Sequence, residues 1–105
     1  MEIINEQRFK EVLNESKLVL VDFYADWCGP CKMLIPVLEQ LDTECSDVLK
    51  VVKVNVDSEE NLAWQFGIQS IPTMILFRDG KPIKKEIGYR TLEYLKRLIN
   101  DALED

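Results

Sequence analysis

The segment Lys17 to Tyr24 constrains the fold more than any other stretch of the chain. Apart from Lys17 and Asp22 its residues are apolar on both alternating faces, with Val19 and Val21 β-branched. That pattern describes a central strand, covered above and below, and not an edge strand. The rest of the sequence supplies the covers. Met1 to Ile4 reads as a short strand, and Asn5 offers a side-chain oxygen to cap a helix through about Leu13, with Phe9, Val12 and Leu13 on one face. A second helix is expected from about Pro30 to Cys45, striped by Leu34, Val37, Leu38 and Leu41, with Pro36 inside it as a kink. Val48 to Val56 reads as a third strand, and Asp57 or Ser58 as the cap of a short third helix that stops at Gly67.

Met74 to Arg78, Asp79-Gly80 and Pro82 to Ile87 read as a hairpin with a primed turn. Thr91 opens a last helix in which Leu92, Leu95, Leu98, Ile99, Ala102 and Leu103 recur at helical spacing. The order β-α-β-α-β-α-β-β-α predicts an α/β fold. Its five-stranded mixed sheet has parallel crossovers in the first half, an antiparallel hairpin in the second, and four flanking helices. A length of 105 residues with no linker or repeat predicts one domain, 1–105.

Composition removes several function classes. Nineteen acidic against thirteen basic residues leave a net charge of −6, the wrong sign for a nucleic-acid surface. The absence of histidine excludes Ser–His and Cys–His catalysis and the usual zinc ligands. No apolar h-region occurs near Met1, and the longest apolar runs, Leu18 to Val21 and Met74 to Phe77, are far too short to span a membrane. The expectation is a cytoplasmic, soluble monomer whose cysteines are free thiols by default.

Chemistry concentrates in Trp27-Cys28-Gly29-Pro30-Cys31, between the second strand and the second helix. Two thiols three positions apart at a helix start can close into a disulfide ring with little backbone movement. Cys28 falls at or before the helix N-terminus, where unpaired N–H groups and the positive dipole end favour a thiolate. Cys31 falls inside the first turn and is the more shielded. One sulfur is thus placed to attack and the other to resolve.

The lowered pKa is only part of that chemistry. Moving a thiol from the ordinary ~8.5 to ~7 raises its thiolate fraction at neutral pH by a factor of ~16, and a Brønsted coefficient of ~0.5 returns a factor of ~5. The larger gain is a better leaving group when the second thiol attacks, together with substrate docked in line. A structural zinc site needs two further ligands, and the one remaining cysteine, Cys45, lies at the far end of the helix. A purely structural disulfide is disfavoured by so small a loop. The redox reading is therefore preferred, with no metal and no bound organic cofactor.

Trp27-Cys28-Gly29-Pro30-Cys31-Lys32 resembles the active-site motif of the thioredoxin family, and the resemblance runs the length of the chain. It includes Val21-Asp22-Phe23, Pro36, Val54-Asn55-Val56-Asp57, Gly67-Ile68, Ile71-Pro72-Thr73, Phe77, Gly80 and Gly88. The resemblance implies a protein-disulfide reductase in which Cys28 attacks and Cys31 resolves, with Gly29 and Pro30 tuning the potential. It implies that Asp22 is a buried proton acceptor for Cys31 and that Lys53 is its partner across the sheet. Pro72 is implied to be cis and to face the cysteines, with the Ile71 backbone pairing to substrate. Trp27, Gly67, Ile68, Gly88 and Tyr89 are implied to border the contact surface. Implied partners are a thioredoxin reductase, in many organisms a flavoprotein using NADPH, and clients such as ribonucleotide reductase, peroxiredoxin and methionine sulfoxide reductase.

Two implied roles carry physical sense of their own. A carboxylate inside the apolar run at Asp22 costs several kcal/mol unless paired or neutral. Pro72 by itself would be taken as trans, since only about 5% of X–Pro bonds are cis. The sequence departs from the family pattern at Tyr24, where many members carry a second tryptophan; the phenol keeps the bulk and adds a hydroxyl. Cys45 is read as a small core filler, Trp64 as a partly buried packing residue, and Glu39, Glu44 and Glu104 as solvated helix faces. The rival readings are an oxidant or isomerase of the same chemistry, and a non-catalytic binding module on the same scaffold.

Overall fold

A computed structural model describes residues 1–104. Leu18–Tyr24 forms β2, and all seven of its residues are buried. It lies at the centre of a five-stranded sheet of order β1-β3-β2-β4-β5, where β1 is Glu2–Ile3, β3 Leu49–Asn55, β4 Thr73–Arg78 and β5 Lys81–Ile87. β3 runs parallel to both β1 and β2, whereas β4 is antiparallel to β2 and to β5. The helices are α1 (Glu6–Val12), α2 (Gly29–Glu44), α3 (Glu60–Gln65) and α4 (Leu92–Glu104).

Alternation along the strands sorts the core into two layers. Leu18 and Leu20 of β2 join Leu49 and Val51 of β3 beneath Leu34, Leu38 and Leu41 of α2 and Leu95 and Ile99 of α4. Val19, Val21 and Phe23 face the other way, against Phe9 and Val12 of α1 and Leu62 of α3. In that second layer Phe66 meets the rings of Phe9, Phe23 and Phe77 with centroids 5.5 to 6.0 Å apart, within the range in which edge-on aromatic pairs attract. Pro36 lies inside α2.

The ends of the elements follow local chemistry, with one correction. Asn5 caps α1 by accepting the Arg8 N–H at 2.8 Å. Asp79 and Gly80 both take positive φ, 51° and 82°, as a primed hairpin turn demands. Gly67 ends α3 at φ 63°, with its N–H on the Trp64 carbonyl and the Ile68 N–H on that of Ala63, the paired bonds of a Schellman cap.

The start of α3 differs from expectation: neither Asp57 nor Ser58 caps it. The Asn55 side chain accepts both of their N–H groups and turns the chain, so that Glu59 becomes the N-cap residue and makes no side-chain cap bond. The Glu59 carboxylate instead accepts the Glu6 N–H at the start of α1. A side chain already committed to a neighbouring helix is not free to cap its own.

Candidate functional site

The chain leaves the buried end of β2 through Ala25, whose carbonyl accepts the Cys28 N–H. Cys28 is extended (φ −90°, ψ 112°) and is the N-cap of α2. Its sulfur accepts the Cys31 N–H at 3.2 Å. One orphan donor of the helix start is therefore aimed at the sulfur, which favours negative charge there. Cys28 and Cys31 are joined as a disulfide with Cα atoms 5.3 Å apart. Cys28 is 5% exposed and Cys31 2%, so the difference in shielding has the expected sign but is small. Gly29 and Pro30, between them, are exposed.

The loop before β4 closes over the pair. The Ile71 carbonyl oxygen lies 3.8 Å from the Cys28 sulfur, a contact without a hydrogen bond because a disulfide sulfur carries no proton. The Ile71–Pro72 bond is cis. The Pro72 carbonyl accepts the Gly88 N–H at 2.7 Å, which ties the loop to the end of β5, and Gly88 takes φ 94°. Tyr24, Ala25, Cys28 and Cys31 pack as one buried cluster against Val56 and Ile71.

Asp22 lies in the same strand, two residues before Tyr24, and is 0% exposed. Among the described residues neither of its carboxylate oxygens has a hydrogen-bond partner. Burial pushes its carboxyl up to about 7, an effect the positive charge of Lys53 partly offsets. Lys53 is the register partner of Asp22 on β3. No direct ion pair joins these two residues among the described residues. The Lys53 ammonium instead lies 4.0 Å from the centre of the Tyr24 ring.

The remaining rim residues are placed unevenly. Trp27 is 71% exposed, and its indole N–H donates to Asp57 at 2.9 Å. Tyr89 is exposed and Gly88 half-buried. Ile68 packs with the phenylalanine layer on the opposite face of the sheet, not with the cysteine cluster. Trp64 corrects the sequence reading. It is 86% exposed and packs into neither core layer, because α3 is so short that Leu62 and Ala63 alone supply its buried face. Cys45 is half-buried against the α2–α4 layer, and burial pushes its thiol up.

Two contacts had no sequence signal: Asp57 on Trp27, thirty residues away, and the Tyr24 ring under Lys53. Register between β2 and β3 creates the second, and register is not written in either strand alone. Among the described residues no three of the usual metal-binding side chains cluster.

The thioredoxin family model matches residues 1–101. Thioredoxin of Bacillus subtilis (strain 168) is 44% identical over 98 residues, 93% of each chain. A bifunctional thioredoxin reductase/thioredoxin of Mycobacterium leprae is 44% identical over 103 residues, which are 98% of this chain and 22% of that one. A single-site mutant of the thioredoxin from Halobacterium salinarum superposes with a TM-score of 0.88 at 37% identity, over 95% of this chain and 89% of that one. A chain solved in work on thiol resolution in yeast mitochondrial 1-Cys peroxiredoxin via glutathione/thioredoxin systems gives 0.86 at 32% identity, over 96% and 94%.

Proposed function

The chain belongs to the thioredoxin family, a thiol–disulfide oxidoreductase with a redox-active Cys28–Cys31 pair, and from that premise we propose how its residues divide the work. The Cys28 thiolate attacks one sulfur of a client disulfide; the client S–S bond breaks, a mixed disulfide with Cys28 forms, and the client's other sulfur leaves as a thiolate that takes up a proton from solvent. Cys31 then gives up its proton and attacks the Cys28 sulfur. The client's second thiolate departs and takes up a proton. The client leaves with two thiols, and the pair is left oxidised. Two electrons have passed from the pair to the client.

The observation that carries this reading is the Cys31 N–H directed at the Cys28 sulfur at 3.2 Å. That donor stabilises Cys28 as a thiolate, both when it attacks and when Cys31 displaces it. Asp22 takes the Cys31 proton; a carboxylate poised near neutrality suits that task. The exposed Gly29-Pro30 dipeptide tunes the potential. The Ile71 backbone before cis-Pro72 pairs with an extended client segment, and Trp27, Gly67, Ile68, Gly88 and Tyr89 border it.

A thioredoxin reductase recharges the pair; the fusion of the two activities in the Mycobacterium leprae relative supports this assignment. Peroxiredoxin is a favoured client class, supported by the yeast neighbour, with ribonucleotide reductase and methionine sulfoxide reductase beside it. The protein works as a cytoplasmic monomer of one domain. Among the described residues no helix is long and apolar enough to cross a membrane.

The test is the turbidity of insulin chains with dithiothreitol as electron source. The wild-type chain accelerates precipitation and Cys28→Ser abolishes the acceleration. Equal behaviour of the two would overturn the reductase reading in favour of a binding module.

A further inference from the structure

Asp22 and Tyr24 share the α2/α4 side of the sheet with Leu18 and Leu20, by the alternation of β2. Lys53, in register with Asp22, points to the same side. Two buried groups of opposite charge in register would ordinarily close on each other. Here the carboxylate is left without a partner, while the ammonium rests on an aromatic face 4.0 Å away. The negative face of the ring attracts the cation, and the ring itself is fixed by packing on Ala25, Cys28 and Cys31.

We propose that Tyr24 is a positioning residue whose ring holds the Lys53 ammonium off the Asp22 carboxylate, keeping that carboxylate able to accept a proton. Among the described residues Lys53 is the one charge that acts on Asp22; Arg78 of β4, on the same face, lies opposite Leu18 at the far end of β2 and donates to the Ala102 carbonyl. The cysteine pair sits on α2, β4 places Met74 beside Asp22, and the buried residues of α4 are Leu95, Ile99 and Ala102. Asp26, Asn55 and Asp22 itself act on the Tyr24 hydroxyl, whereas the charge over its ring is Lys53. An ammonium in contact with Asp22 would keep the carboxylate ionised and make it a weaker base. The kinetic consequence rests on Asp22 as the proton acceptor for Cys31; the titration below does not.

The test is a 13C-carboxyl NMR titration of Asp22 in the oxidised full chain. Tyr24→Leu should lower the midpoint by about one pH unit or more as the ammonium reaches the carboxylate. Tyr24→Phe, which keeps the ring, should stay within ~0.3 of wild type. In a Lys53→Met background Tyr24→Leu should have no effect. A midpoint that does not move in Tyr24→Leu, or moves as far in Tyr24→Phe, overturns the proposal. So does the same fall in the Lys53→Met background, which would mean water entering beside Asp22.

Wild type alone gives a second check that needs no folded variant: the Lys53 side-chain protons should be displaced upfield by the ring, and their absence from that region overturns the contact. In the reduced chain, the pH profile for resolution of a mixed disulfide should follow the Asp22 midpoint across the series. A moved midpoint with an unmoved profile would sink Asp22 as proton acceptor and leave the positioning intact.

Discussion

Asp22 costs the fold stability whenever it is ionised. Its carboxyl is pushed up to about 7 by burial, whereas in the unfolded chain it titrates near ~4. Between those values the folded state holds a proton that the unfolded state has lost. The contribution of this residue to stability is therefore greatest below about pH 4 and falls as pH rises through about pH 7, by an amount on the order of 4 kcal/mol. Asp22→Asn should remove that slope. Urea unfolding of the oxidised chain should find the variant more stable by ~2 kcal/mol near pH 8, less than the full amount because a buried amide also lacks partners. The variant should also release the mixed disulfide several-fold more slowly. Equal stability and equal release rates in both proteins would rule out this account. The liability of Asp22 is legible in the sequence, because a lone carboxylate in an apolar strand has few innocent explanations. The location of Lys53 is not, since a cation able to pair with Asp22 can equally choose the ring two residues on. Trp64 is hard to read for a related reason: in a six-residue helix, fewer than two turns define the buried face.

Helix boundaries are legible wherever one side chain has one obvious backbone partner. Asn5, Thr91 and Gly67 each act on the turn beside them. The α3 start is not, because Asn55 and Glu59 each have two possible uses, and the choice depends on α1 lying alongside. Thr91 provides a clean measurement at this scale. Its hydroxyl accepts the Tyr94 N–H at 3.1 Å at the start of α4. Removing that acceptor leaves an orphan donor, so Thr91→Ala should cost about 1 kcal/mol by urea unfolding. Thr91→Ser, which keeps the oxygen, should recover most of it. No residue of α4 belongs to the cysteine cluster, so neither variant should change the rate of insulin reduction. A loss of activity without a loss of stability would mean that α4 contributes to the site in a way its packing does not reveal.

At the scale of the whole molecule the sheet divides the core into two layers that share no side chains. The two-sided burial of β2 is readable from its lack of polar alternation, and with it the requirement for helices on both faces. The strand order β1-β3-β2-β4-β5 is not readable, since it depends on which crossover lands on which side of β2. The site sits where those layers end: Cys31 belongs to α2, while Val56 packs against both the cysteine cluster and the layer that holds Ile68 and Phe66. If the sheet acts as a rigid partition, damage to one layer should not be felt in the other. Leu41 of α2 and Val12 of α1 are each fully buried on opposite faces. Leu41→Ala should cost about 2–5 kcal/mol and Val12→Ala somewhat less, through lost burial and the cavities left behind. The double variant, unfolded in urea near pH 5 where Asp22 is mostly neutral, should match the sum within about 0.5 kcal/mol. A coupling well above that would mean the strands yield to fill one cavity at the expense of the other layer. Strain on one face would then reach the cysteine loop from the other, and α1 and α3 would have to be counted among the elements that hold Cys28 in place.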